Sequence, residues 1–116
     1  MSNVQIDLRP VNPLRRPPRP VERLKAERVQ EALRAMPGWN LTHTGRAIHR
    51  VHWFPSRDVA VAYASYVSAL AYSESQRVHL SVMECRVAVT VYGASPVVED
   101  DGWLDQGNLD FAVSIG

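Results

Sequence analysis

The chain has 116 residues and a formal net charge of +1, with 13 Lys and Arg against 12 Asp and Glu. That balance excludes a polycation of the kind that coats nucleic acid. The hydrophobic share of 46% suits one domain with a modest core. No apolar run reaches the roughly 18 residues that a membrane helix needs, and the first residues lack the apolar stretch of a secretory signal. The single cysteine, Cys85, allows no internal disulfide and suits a reducing cytoplasm. It is expected as a small packed side chain at a strand start.

Charge and proline are unevenly spread. Arg9, Arg15, Arg16, Arg19 and Arg23 gather near the start, interleaved with Pro10, Pro13, Pro17, Pro18 and Pro20. Proline removes backbone donors and disfavours helix and strand, so residues 1–19 read as an extended, polyproline-like tail, and residues 20–116 as the folded domain. Next, Val21, Leu24, Val29, Ala32, Leu33 and Met36 recur at helical steps, predicting a helix of about 15 residues. Pro20 suits its first turn and Pro37-Gly38 stops it. Trp39 to Leu41 and Ile48 to Phe54 read as strands around a turn at Thr44-Gly45-Arg46. Arg57 to Tyr72 reads as a second helix, with Val59, Ala62, Tyr63, Tyr66, Val67 and Leu70 on one face, leading to Ser75-Gln76-Arg77-Val78. Leu80 to Met83 is a short strand candidate. Val87, Val89 and Val91 alternate with Ala88 and Thr90 as a half-buried strand requires. Leu104 to Ile115 reads as a third helix, apolar at Leu104, Leu109, Ala112, Val113 and Ile115.

Strands joined by a hairpin, with helices gathered on one face, imply an α+β two-layer domain with an antiparallel sheet of three to four strands. So small a sheet has open edges, which commonly pair with a second copy, so a homodimer is expected.

Pro37-Gly38-Trp39, the strand Ile48-His49-Arg50-Val51-His52-Trp53-Phe54 and the helix behind it, in that order and spacing, resemble the pterin-4a-carbinolamine dehydratases. The register is gapless: Ala60, Tyr63, Val67 and Ala71 fall on the family's Ala, Phe, Val and Ala helix positions. Val87 falls on the valine opening its central strand. In this register the family's His-His-Pro signature becomes Gln76-Arg77-Val78, and the aromatic residue that follows becomes Glu84. The third histidine becomes Ala94, preceded by Gly93. The final aspartate becomes Asn108, reached with about five inserted residues around Ser95 to Asp100. A rival register puts His79 on the second histidine at the cost of an insertion and a deletion.

Dehydrating a carbinolamine requires one group to protonate the leaving hydroxyl and another to take a proton from nitrogen. Imidazole suits both, with a pKa of about 6.5. Arginine stays protonated, and glutamine and alanine do not titrate. Losing each positioned acid or base costs about a hundred- to ten-thousand-fold. The resemblance therefore implies a scaffold without the family's chemistry: no enzyme, no catalytic residue and no cofactor. No metal site is expected either. His49 and His52, three apart on a strand, point to opposite faces, and Glu99-Asp100-Asp101 lacks ligand spacing. Phosphate loops and nucleophile elbows are absent.

What remains is binding. Degenerate members of the family resemble the RuBisCO assembly factors encoded with α-carboxysomes, so the resemblance implies a homodimeric carbon-fixation chaperone for the RuBisCO large subunit, without nucleic acid or membrane as partner. Trp39, Arg50, Phe54 and Tyr63 are the retained shell. Arg50, Trp53, Arg77, Glu84 and Asn108 are the candidate partner-binding residues, since arginine and aromatic side chains dominate such interfaces. Arg77, Glu84 and Asn108 would line the former pterin groove, while Trp53 is expected to be packed. Two alternatives stand: an active 4a-hydroxytetrahydrobiopterin dehydratase using His79 and His52, and a dimerisation or transcription cofactor.

Overall fold

The computed structural model describes residues 23–93 and 103–116. The Pro/Arg-rich stretch 1–19, Val21, Ala94 and Glu99-Asp100-Asp101 lie outside the described residues. The elements in chain order are α1 (Ala26–Arg34), β1 (Asn40–Leu41), β2 (Ala47–Trp53), α2 (Arg57–Ser73), β3 (Arg77–Met83), β4 (Arg86–Tyr92) and α3 (Gln106–Ile115). The strands form one antiparallel sheet in the order β1-β2-β4-β3. The protein is thus α+β, with four strands and the helices on one face of the sheet.

Alternation on β4 sets the layering. Val87, Val89 and Val91 are fully buried and meet Ile48 of β2, Val67 of α2, and Leu109 and Ala112 of α3 in one core cluster. Burial of an aliphatic side chain of this size contributes about 1.5–3 kcal/mol, so this row anchors both layers. The opposite parity of β2, β3 and β4 faces away from the helices.

Several boundaries differ from the sequence reading. α1 begins at Ala26, not near Val21. Just before it, the backbone N–H of Leu24 donates to the carbonyl of Leu104 (2.9 Å), and Leu24 packs on the core in an extended segment. α2 is capped by Ser56, whose hydroxyl accepts from the Val59 N–H, and ends at Ser73. Ser75 then takes a left-handed φ of 56°. This turns the chain so that Arg77 and Val78 open β3 instead of ending the helix.

The buried face of α2 is Ala60, Val67 and Ala71, flanked by Tyr63 and Leu70. Val59, Ala62 and Tyr66, expected on that face, are exposed. From Val59 to Ser73 the helix carries no charge, so its periodicity could not choose a face. Of the four positions matched in the dehydratase register, Ala60, Val67 and Ala71 are buried and Tyr63 is half-buried. In α3, Val113 is exposed, whereas Phe111 is buried. Cys85 sits half-buried in the β3–β4 turn, ahead of the strand start at Arg86, and its carbonyl accepts from Phe54 N–H (2.8 Å).

Candidate functional site

Two of the positions matched to catalytic residues converge. Asn108, in the first turn of α3, is 2% exposed. Its Nδ2 donates to Gln76 Oε1 (2.8 Å) and to the carbonyl of Tyr92 (3.3 Å). Its Oδ1 accepts from the Asp105 N–H (2.8 Å), while Asp105 accepts from the Asn108 N–H (3.0 Å). This capping box satisfies N-terminal donors of α3 and fixes the amide. Arg77 donates to the carbonyl of Gly93 (3.2 Å) and lies 5.6 Å from the Tyr92 ring centroid. Gln76 and Asn108 therefore pair where β3, the end of β4 and α3 meet, whereas Arg77, in register with Tyr92, lies on the sheet face away from the helices.

Two expectations for this groove change. Asn108 is not presented to a partner, because its amide is buried and committed on both sides. Glu84 does not join the groove. Arg77 pairs with Tyr92 at one end of the β3–β4 ladder, whereas Glu84 occupies the turn beyond Met83 and Arg86 at the other. The β-hairpin, invisible to a register count, separates them by the strand's length.

A second cluster lies under α2. The hydroxyl of Tyr63 donates to the carbonyl of Ile115 (2.9 Å) and stands 3.1 Å from His52 Nε2. A phenol has one proton. With that proton committed to Ile115, His52 Nε2 must be the donor in the second contact, which fixes a neutral Nε2–H tautomer. Burial first, and the Arg50 charge second, lower the His52 pKa to about 4. Burial raises that of Tyr63 to about 12. The His52 and Tyr63 ring centroids are 4.8 Å apart and those of Tyr63 and Phe54 4.9 Å, so the shell is a cluster of tilted aromatic rings around a hydrogen-bonded core. Beside it, Trp39 is buried, and its Nε1 finds no acceptor. Arg50 donates to the carbonyls of Pro37 and Gly116. It ties the Pro37-Gly38-Trp39 turn to the end of α3, and Gly38, with φ +86°, passes so close that a Cβ there would lie 3.0 Å from Arg50 Nε. A shallow cavity of about 240 Å³ between Met36, Trp39, Arg50 and Val113 adjoins this tie.

The third group is the sheet's open face. Trp53 is 72% exposed, against the expectation that it would be packed, because its strand position points away from the helices. The Arg86 guanidinium stands 5.7 Å from its ring centroid. His49 Nδ1 lies 3.0 Å from Thr90 Oγ1, and His79 pairs with Thr90 from the other side. His52 is on the opposite face, as its spacing from His49 required. Arg86 and Tyr92 belong with the candidate residues and were missed. Their signal was the β4 alternation, which puts Arg86, Ala88, Thr90 and Tyr92 on one face whenever Val87, Val89 and Val91 are in the core.

Among the described residues, no His, Cys, Asp and Glu cluster could hold a metal, and no helix is long and apolar enough to cross a membrane. No protein-family model and no curated protein matches the chain. Among solved structures it is similar to a transcriptional coactivator/pterin dehydratase from Brucella melitensis, with a TM-score of 0.66 and 24% sequence identity. The match covers 81% of this chain and 95% of that one. The protein has a pterin dehydratase-like fold.

Proposed function

We propose that this chain is a non-catalytic, homodimeric protein-binding module on a dehydratase-like scaffold, and that its partner is the RuBisCO large subunit. The observation that carries the reading is the Asn108–Gln76 pair. Where the resemblance puts an aspartate and a histidine, two amides satisfy each other in a buried setting, and neither can exchange a proton. The histidines that could substitute lie apart. His52 is held neutral beneath α2, and His79 is on the sheet's other face, so they cannot act on one substrate as an acid–base pair.

Two experiments test this. The purified protein should not dehydrate a pterin carbinolamine above the spontaneous rate; turnover abolished by His79→Ala would overturn the non-catalytic reading. In co-expression, large subunit should co-purify with the protein, and assembly yield should fall when it is omitted or carries Arg77→Glu. Unchanged yield without co-purification removes the chaperone role. A second reading, a dimerisation or transcription cofactor, draws on the similarity in fold to the Brucella melitensis transcriptional coactivator/pterin dehydratase. It predicts capture of a transcription factor in place of large subunit.

A further inference from the structure

The open face of the sheet is chemically asymmetric. Along β4, Arg86 and Tyr92 are six residues apart, about 20 Å in an extended strand, and both point away from the helices. At one end Arg86 lies over exposed Trp53 and donates to Met83 Sδ (3.4 Å). At the other Arg77 lies beside Tyr92. Each end thus offers an arginine set against an aromatic ring. Between them the face carries no Lys, Arg, Asp or Glu, with Thr90 flanked by His49 and His79 in one row and Ala88 by Val51 and Ser81 in the next.

Among the described residues this face of β2, β3 and β4 holds no carboxylate, and neither Arg77 nor Arg86 is paired with one; Glu84 stands in the turn outside the strands. An arginine carries five N–H donors. Arg77 spends one on the Gly93 carbonyl and Arg86 one on Met83 Sδ, so both forks keep donors for an incoming anion. Trp53 is 72% exposed and Met83 56%, the side-chain types that anchor protein interfaces.

We propose that this face docks an acidic segment of a protein partner, its carboxylates meeting Arg86 and Arg77 and an apolar side chain packing on Trp53 and Met83. The proposal rests on the protein-binding reading above and names the surface and the partner chemistry. Charge complementarity selects the occupant. A second copy of this face stacked end to end is disfavoured, because arginine would meet arginine. A single-stranded nucleic acid could stack on Trp53 and Tyr92, but its affinity comes largely from phosphates neutralised by cations. Two arginines on a chain of net charge +1 supply little of that. The central Val51–Ala88 row suits an apolar side chain.

The test uses the full ¹⁵N-labelled chain. The probes are a synthetic peptide of glutamates around a central phenylalanine, the same peptide with lysine for glutamate, and a single-stranded oligouridylate. The acidic peptide should shift the Trp53 indole N–H resonance, assigned through Trp53→Phe. Binding should weaken at least tenfold in Arg86→Glu and in Trp53→Ser, and with added salt, while each variant keeps the wild-type melting temperature. Binding of the lysine peptide or the oligouridylate as tightly as the acidic one overturns the proposal, as does no shift at Trp53. The two readings can fail separately. If large subunit is captured undiminished by Trp53→Ser and Arg86→Glu, the surface is wrong and the function stands. If the acidic peptide binds as described but large subunit is not captured, the named partner is wrong and the surface stands.

Discussion

Asn108 and Gln76 are joined side chain to side chain across 2.8 Å, although 32 residues separate them, and this bond locks the first turn of α3 to the start of β3. The polarity of the Asn108 amide is fully used: its N–H₂ faces two carbonyl-type oxygens and its oxygen faces a backbone N–H. Asn108→Asp would put a carboxylate oxygen against Gln76 Oε1 and the Tyr92 carbonyl. The expected loss is about 2–4 kcal/mol at neutral pH, and smaller at lower pH, because burial against two carbonyl-type oxygens raises the carboxyl pKa and the protonated form can donate. Gln76→His added to Asn108→Asp should recover part of that loss, because an imidazolium can donate to the new carboxylate. Urea titrations of the two single variants and the double variant give the coupling. Additive losses would mean that the two side chains do not act on each other.

The pH dependence of stability should carry the signature of His52. Its folded pKa, about 4, lies below the unfolded value of 6.5. Between those values the unfolded chain takes up a proton that the native state refuses. Stability from this group is complete above pH 6.5, falls as pH drops towards 4, and is constant below. His52→Gln should flatten the melting temperature profile in that window. An unchanged slope would assign it to other groups.

How much of this was legible in the sequence depends on which interactions set each feature. The β4 row of valines followed from a period of two, and its three side chains landed in the core. α2 was read as a helix but with a partly wrong stripe, because Val59 and Tyr66 are as apolar as the buried Ala60 and half-buried Tyr63, and only tertiary contact chooses between them. The groove was half readable. Gln76 and Asn108 meet, whereas Arg77 turns to the open face of the sheet and Glu84 falls a strand's length away, since a hairpin folds neighbours in sequence to opposite ends. The exposure of Trp53 depends on which sheet face stays uncovered, and the local pattern does not contain that.

Arg50 acts within the fold. It hydrogen-bonds the carbonyls of Pro37 and Gly116 from the helix-facing side of β2, and its charge faces His52. Arg50→Met keeps the apolar stem and removes both bonds, so stability should fall by about 2–3 kcal/mol, at about 1–1.5 kcal/mol each. The pKa of His52, followed by NMR, should rise as the neighbouring charge disappears. If acidic-peptide binding fell while stability did not, Arg50 would be an interface anchor after all.

Gly93 sits where the resemblance puts the threonine before the family's third histidine, and here that position tolerates no side chain. A Cβ on Gly93 would lie 2.3 Å from the Trp103 carbonyl carbon, a backbone atom that no rotamer change can move. The neighbouring Trp103 ring is itself held between guanidinium groups, Arg23 at 3.7 Å and Arg46 at 4.4 Å. Gly93→Ala must therefore push the Trp103 backbone away, at about 1–3 kcal/mol for overpacking. The displacement should also change the fluorescence of Trp103, isolated in a background where Trp39 and Trp53 are phenylalanine. A Gly93→Ala variant with wild-type denaturation midpoint and unaltered Trp103 emission would show that the close approach of the two segments is not maintained in solution.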